Sequence, residues 1–142
     1  MVTEIPATDI DAPRFHAEIV AAYQPVVFNG LVKDWPVVRA GLVGPEALAA
    51  YLKRFDGGTR VMTKTAPPEV KGRLFYDQGV TGFNYDKKRM RVGEALDTLL
   101  SLVGEEDPPS FAIQSIQVRH YLPGFDAENR LPLLPDSVAP RI

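Results

Sequence analysis

Prolines and glycines interrupt this chain so often that they limit the length of every element it can form. The sequence contains 13 prolines and 11 glycines among 142 residues. Proline removes a backbone donor and glycine favours turns, so the pattern predicts many short elements joined by turns. No apolar run approaches the roughly 18 residues of a membrane span. A chain of this length fits one domain and buries roughly 68% of its unfolded surface.

Three segments show the apolar periodicity of helices. In the first of them, Asp11 can cap the opening turn and Pro13 fits within that turn. The second begins at Pro45 and ends before two glycines, and the third has the clearest apolar stripe. We expect helices at residues 11–23, 45–56 and 92–103.

Short apolar or aromatic runs predict four to six strands. We expect them at residues 26–28, 59–65, 74–76, 82–85 and 110–118. The last run, SFAIQSIQV, is the best strand, and Gln114 lies in its middle. Asp34-Trp35-Pro36 predicts a corner, because proline keeps the residue before it out of the helical region. The count predicts an α+β fold, since a closed cupin or jelly-roll barrel needs about eight strands.

The charge of the chain argues against two classes of partner. A formal charge of -2 and a pI near 5.7 favour neither nucleic acid nor an anionic membrane. We expect the basic cluster at residues 87–91 to be a solvated turn, offset by Glu94, Asp97 and the acidic residues 105–107. The acidic N-terminus has no apolar signal core, so we expect a cytoplasmic protein. The absence of cysteine excludes disulfides and thiolate chemistry.

Catalytic and metal-binding patterns are weak. An iron site of two histidines and one carboxylate needs three ligands that converge on one face. His16 and Glu18 have the spacing of such a motif, but in a helix residues two apart do not face each other. We therefore expect no metal site in this chain, with His16 on a helix surface and His120 at a strand end. No serine lies in a Gly-x-Ser-x-Gly elbow, so we assign no catalytic residue.

Gln114 is the most informative polar residue. A glutamine in mid-strand that is buried must find hydrogen-bond partners. It either joins a network with a neighbouring strand or faces a ligand in a pocket. Tyr76, Asn84 and Tyr85 leave the same two alternatives open, because aromatic and amide side chains near loop ends belong either to the core or to a cleft.

The order of these segments resembles a known family. PVVFNGLVKDWPVVRA (residues 25–40) is similar to the opening segment of bacterial cupin-like proteins of the JmjC type. These proteins are related to asparaginyl hydroxylases that use Fe(II) and 2-oxoglutarate. The segments that follow have the family's order: Tyr51-Leu52, FNYDKKRM, VGEALDTLL and FAIQSIQV. The approach to the family's barrel is resembled by LPGFDAENRLPLL and APRI. The resemblance covers nearly the whole chain.

The resemblance implies that residues 1–142 are the N-terminal part of a single cupin-like domain, with its double-stranded β-helix incomplete. The iron ligands and the basic residue that binds 2-oxoglutarate are expected beyond residue 142. The chain alone is then expected to bind neither cofactor. Gln114, Tyr85 and Asn84 match positions on the wall of the substrate or cosubstrate pocket.

Two functions stay open at this point. In the first, the chain is part of an Fe(II)- and 2-oxoglutarate-dependent oxygenase, inactive by itself, that acts on a protein or a small molecule. In the second, it is a non-catalytic cupin-related module that binds a partner or oligomerises. The unpaired strand edges would be covered by the remainder of the barrel in the first case and by a second copy in the second. A third reading is an unrelated α+β domain.

Overall fold

The computed structural model describes residues 2–135, in which helices and strands are mixed along the chain. The elements are β1 (Thr3–Pro6), α1 (Ala12–Arg14), β2 (Val26–Asn29), α2 (Pro36–Val43), α3 (Pro45–Lys53), β3 (Arg60–Ala66), β4 (Asp86–Arg91), α4 (Val92–Ser101), β5 (Ser110–Ile113), α5 (Val118–Tyr121) and α6 (Phe125–Glu128). A π-helical segment, Phe15–Val20, continues α1. None of the described helices combines the length and apolar character needed to cross a bilayer.

The strands form two small sheets. β1 pairs with β2 in parallel, and β3 lies between β4 and β5 in an antiparallel sheet. Across residues 2–135 neither sheet closes into a barrel. The predicted mixture of α and β structure is confirmed, and the double-stranded β-helix stays a prediction.

The core lies where α3 and α4 pack together beside the three-stranded sheet. Pro45 opens α3, at the one helical position where its missing N–H costs nothing. The Glu94 carboxylate accepts a 2.9 Å hydrogen bond from the backbone N–H of Arg91 and so stabilises the first turn of α4. The buried cluster consists of Tyr51, Phe55, Val61, Val92 and Leu122. Apolar burial on this scale is the main source of the fold's stability.

The C-terminal segment, residues 118–135, is bound to α2 and α3 by side-chain hydrogen bonds. Trp35 Nε1 donates to the carbonyl of Arg130 at 2.8 Å. Asn129 is 5% exposed. Its Oδ1 accepts from Val37 N at 3.1 Å, and its Nδ2 donates to Tyr51 Oη at 2.8 Å. Because every polar atom of a buried amide needs a partner, Asn129 fixes this segment in one position.

The predicted corner at residues 34–36 is correct, but a helix that we did not predict follows it. Trp35 has φ -61° and ψ 136°, so it is extended as the following proline requires. Pro36 itself is the first residue of α2. Proline restricts the residue before it and is favourable at the first helical position, so one residue accounts for both features. The three predicted helices are found, each with shorter bounds.

Three predictions about strands need correction. The strand predicted at residues 110–118 ends at Ile113, because Ser115 has a left-handed φ of 56° and a helix follows at Val118. The strands predicted at residues 74–76 and 82–85 reduce to one bridge, Tyr76 to Phe83. The basic segment predicted as a turn is strand β4, which pairs with β3 along its whole length. Tertiary pairing overrides the low strand propensity of lysine and arginine there.

Candidate functional site

The exposed face of the three-stranded sheet carries a row of cations. In the β3–β4 register, Arg60 lies opposite Arg91, Met62 opposite Arg89, and Lys64 opposite Lys87. Alternate residues of a strand share a face, so these six side chains lie on one side of the sheet. We call Arg60, Lys64, Lys87, Arg89 and Arg91 the cationic ladder. No carboxylate of residues 2–135 forms a salt bridge with any of the five.

Lys64 brings together two of the three predicted pocket residues. Its Nζ donates a hydrogen bond to Gln114 Oε1 at 2.5 Å. The same nitrogen lies 4.8 Å from the centre of the Tyr85 ring. A cation at this distance from an aromatic face is attracted by the ring's quadrupole. Gln114 and Tyr85 therefore meet at one ammonium group on the open side of the sheet.

Lys87 extends this site toward an aromatic loop. We use that name for Phe75, Tyr76, Phe83 and Tyr85, which precede β4. Lys87 Nζ lies 4.0 Å from the centre of the Phe83 ring and 5.7 Å from that of Tyr85. Tyr76 stacks on Phe83 with ring centres 5.3 Å apart. These contacts place the aromatic loop beside the cationic ladder.

Asn84, the third predicted pocket residue, hydrogen-bonds within its own loop. Its Oδ1 accepts from Phe75 N at 2.8 Å, and its Nδ2 donates to the carbonyl of Arg73 at 2.8 Å. Its backbone N–H donates to Phe75 O at 3.0 Å. Both ends of the amide side chain thus hold the aromatic loop closed. The structure does not bring Asn84 to the Lys64 ammonium.

Gln114 has a different setting from the one predicted. We expected a buried residue in the middle of a strand, whereas Gln114 is exposed and follows the last residue of β5. The sequence predicts that Gln114 shares a face with Ala112. Ala112 pairs with Lys64, and Lys64 bonds to Gln114, so Gln114 lies on that same side of the sheet. The hydrogen bond from Lys64 is its link to the neighbouring strand.

The carboxylates predicted to offset the basic cluster make their contacts elsewhere. Glu94 accepts from the backbone N–H of Arg91, and Asp97 pairs with Lys53 of α3. Neither forms a salt bridge with a side chain of the cationic ladder within the described structure. The ladder therefore keeps a positive potential that these neighbours do not cancel through ion pairs.

The histidines do not assemble a metal site. Among residues 2–135, no group of three or more His, Cys, Asp or Glu side chains could hold a metal ion. Glu18 accepts from Arg14 at 2.9 Å, and the His16 ring contacts Phe15 with centres 5.4 Å apart. His120 contacts Tyr121, with ring centres 4.6 Å apart. The described residues therefore do not fit an Fe(II) site.

The sequence reasoning missed Lys64 and Arg60. A signal was present, because RVMTKTA places Arg60, Met62 and Lys64 at alternate positions of a predicted strand. The cations on one face of a single strand are too few to form a binding surface. A neighbouring strand must contribute further cations to the same face. That neighbouring strand is β4, where the sequence predicts a turn.

A second cleft, of about 230 Å³, lies beside Trp35 and is lined mainly by apolar side chains. Two of its charged residues, Arg119 and Asp126, hydrogen-bond to each other at 2.5 Å. Asn129 is fully engaged in holding the C-terminal segment. Ligand sites need polar groups that are free to orient a ligand, so the sheet face is the stronger candidate.

Among the described residues, three titratable groups outside the ladder have shifted pKa values: Arg14, Asp34 and Tyr51. Burial raises the pKa of Tyr51, and the hydrogen bond that it donates to Glu128 acts in the same direction. The hydrogen bond from Arg39 lowers the pKa of Asp34. Tyr51 lies in the core and Asp34 in an exposed ion pair, so both shifts have structural causes.

Comparison with known proteins adds a family to this geometry. Residues 12–141 match a family model described as a Cupin-like domain. No curated protein matches the chain. The matched region contains the whole cationic ladder together with Tyr85 and Gln114.

Proposed function

This chain belongs to the cupin-like domain family, and from that premise we propose that it is the N-terminal part of a JmjC-type oxygenase. The complete protein would use Fe(II) and 2-oxoglutarate, would be related to asparaginyl hydroxylases, and would work in the bacterial cytoplasm. The observation that supports this proposal is the meeting of Gln114 and Tyr85 at Lys64. By the resemblance of the sequence to cupin-like proteins, both residues match positions on the wall of that family's pocket.

On this proposal, the exposed sheet face is one wall of the substrate or cosubstrate pocket. Sequence beyond residue 142 supplies the metal ligands and completes the double-stranded β-helix. Fe(II) with 2-oxoglutarate provides the oxidising chemistry of the complete protein, and no residue of 2–135 is assigned as a metal ligand. The Lys64 ammonium can bind a carboxylate or an amide oxygen. Its contact with the Tyr85 ring and its bond to Gln114 limit the orientations of that ammonium.

The intact mass of the protein from its native source tests the first part of the proposal. We expect a mass well above 15.7 kDa. We also expect that longer protein to release carbon dioxide from 2-oxoglutarate when Fe(II) is supplied. A native mass near 15.7 kDa would contradict the proposal, and so would a longer protein without this turnover.

Substitution of Gln114 tests the pocket wall. In the longer protein, we expect Gln114→Ala to lower kcat/KM by about tenfold, because the Lys64 ammonium loses its fixed partner. Gln117→Ala is the matched control, since Gln117 is an exposed glutamine beyond the same strand. It should change kcat/KM by less than about twofold. Equal losses in the two variants would show that Gln114 has no special role.

A non-catalytic module that oligomerises is the second candidate. Within the described residues, β4 and β5 each pair with β3 alone, so each has an edge without a strand partner. Such edges are commonly covered by another chain. Sedimentation equilibrium of the 142-residue chain separates the candidates. A stable dimer favours the module, whereas a monomer favours the oxygenase fragment.

A further inference from the structure

We propose that the cationic ladder is a docking surface for an acidic, extended polypeptide segment. The proposal rests on the charge and geometry of the sheet, and it does not require the chain to be part of an oxygenase.

The positive charge of the cationic ladder is not balanced by nearby carboxylates of the described chain. Arg60, Lys87, Arg89 and Arg91 are exposed, and Lys64 is half-buried. Two of the opposed pairs join like charges, an arrangement that destabilises a ladder of strands. No carboxylate of the described chain pairs with these five side chains, and Asp86 of β4 lies opposite Thr65, on the other face. A partner that brings carboxylates would relieve this repulsion.

The spacing of the cations matches that of side chains on an extended peptide. Alternate residues of a strand are about 6.8 Å apart, since each residue rises about 3.4 Å. An extended peptide with acidic residues at alternate positions has the same repeat. β4 is an outer strand in the described sheet, so an added segment can pair with its free edge. Its alternate side chains would then lie beside Lys87, Arg89 and Arg91.

The contacts of the aromatic rings favour a peptide over single-stranded RNA, which also binds cationic surfaces that carry aromatic residues. RNA bases need open ring faces on which to stack. Phe83 is stacked by Tyr76 and approached by Lys87 Nζ, and the Tyr85 ring is approached by Lys64 Nζ. Phe83 and Tyr85 therefore already contact lysine ammonium groups. Arg60, Arg89 and Arg91 form no salt bridge within residues 2–135 and remain available to carboxylates.

Fluorescence anisotropy with the 142-residue chain tests the proposal. The probe is a labelled peptide of alternating Glu and Thr, about ten residues long, which is enough to span β4. We expect binding at low salt that weakens as salt is added, because the cations are exposed. A peptide with Gln in place of Glu should not bind.

Two double variants with the same change in net charge locate the site. Arg60→Glu with Arg89→Glu should weaken binding by at least about tenfold, because Arg89 borders the added strand and Arg60 lies on the same face of the neighbouring strand. Lys33→Glu with Lys71→Glu is the control, with two exposed lysines outside the sheet. It should weaken binding by less than about twofold. Should the reversal variant fail to fold by circular dichroism, Arg60→Gln with Arg89→Gln replaces it, with an expected loss of about threefold.

Three results would overturn the proposal. The first is equal weakening in the sheet variant and the control, which would mean that overall charge alone governs binding. The second is equal binding of the Gln peptide, which would remove the role of carboxylates. The third is tighter binding of a uridine-rich RNA of matched charge, which would assign the surface to nucleic acid.

Discussion

The two faces of strand β3 carry different kinds of residue, although neighbours along the strand supply both. On β3, Val61 and Thr63 are fully buried, with 0% exposure. Met62, between them, is 38% exposed, and Arg60 and Lys64 lie on its face. The inner face is packed and satisfied, since even Thr63 Oγ1 donates to the carbonyl of Lys88 at 2.9 Å. The outer face of the sheet holds five cations that form no salt bridge within residues 2–135.

The difference shows how one strand can serve two purposes. Over residues 60–63 burial alternates with a period of two, since Val61 and Thr63 are buried while Arg60 and Met62 are exposed. The alternation ends before Ala66, which is buried. Substitutions on the inner face should therefore change stability. Substitutions on the outer face should change binding and leave stability nearly unaltered. The four predictions below compare buried with exposed positions, beginning with the largest effect.

Val61→Ala should have the largest effect on stability. It removes two buried methyl groups from the core, so we expect a loss of about 2–3 kcal/mol in the free energy of unfolding. Met62→Ala is the matched control on the opposite face and should cost less than about 1 kcal/mol. Urea unfolding of both variants measures the contrast. Similar losses would show that the two faces are not distinct.

Asn129→Ala should be the next most damaging change. It leaves the half-buried Val37 N–H without its acceptor and removes the donor to Tyr51, at an expected cost of about 2 kcal/mol. Asn29→Ala removes an exposed amide that bonds only to Glu4, and it should cost less than about 1 kcal/mol. Thermal unfolding compares the two. A small loss at Asn129 would show that the other contacts of the C-terminal segment, such as the bond from Trp35 to the Arg130 carbonyl, hold it without this amide.

Tyr51→Phe should have a smaller effect that depends on pH. The unfolded chain loses the phenol proton near about pH 10, whereas burial raises the pKa of Tyr51 in the folded protein. The stabilising contribution of the neutral phenol is therefore full below about pH 10 and is lost as pH rises through the folded pKa. At neutral pH we expect a loss of about 1 kcal/mol from the missing hydrogen bonds.

The pH profile distinguishes this cause from a simple loss of hydrogen bonds. Above about pH 10, the unfolding free energy of the wild type should fall more steeply than that of Tyr51→Phe. Tyr23→Phe is the control, because Tyr23 is 91% exposed. Its profile should run parallel to that of the wild type. Parallel profiles for all three proteins would contradict the raised pKa.

Arg60→Gln with Arg89→Gln should have the smallest effect on stability. Neither residue forms a salt bridge within the described chain, and each faces a residue of the exposed side, so we expect a change within about 0.5 kcal/mol. Arg54→Gln is the comparison, because Arg54 pairs with Glu128 and lies over the Tyr51 ring. Chemical denaturation should show the larger loss for Arg54→Gln. A larger loss for the double variant would mean that the ladder has a structural role.

Much of the fold could be predicted from sequence, because the relevant signals are local. The short run at residues 59–65 predicts β3, and the proline and apolar stripe at residues 45–56 predict α3. β4 could not be predicted in the same way. Its lysines and arginines have low strand propensity, and it forms through pairing with β3. The left-handed Ser115, which ends β5 early, has no clear sign in the sequence either.

The candidate site could be predicted in part. Residue type and position single out Gln114 and Tyr85, and each contacts the Lys64 ammonium, while their place on a pocket wall stays a prediction. Lys64, which joins them, becomes visible only once the register of three strands is known. Asn84 was chosen for the same reason as Tyr85, but its amide closes a loop. The APRI segment that contributed to the resemblance lies outside the described residues.

Methyl NMR of the 142-residue chain during titration with the Glu–Thr peptide tests the division of the sheet most directly. Met62 and Val61 are adjacent on β3 and report on opposite faces. The account predicts that the Met62 methyl signal moves with peptide concentration while the Val61 methyl signals stay fixed. A fixed Met62 signal while the peptide binds, or equal shifts at both residues, would contradict the claim that the outer face is the binding face.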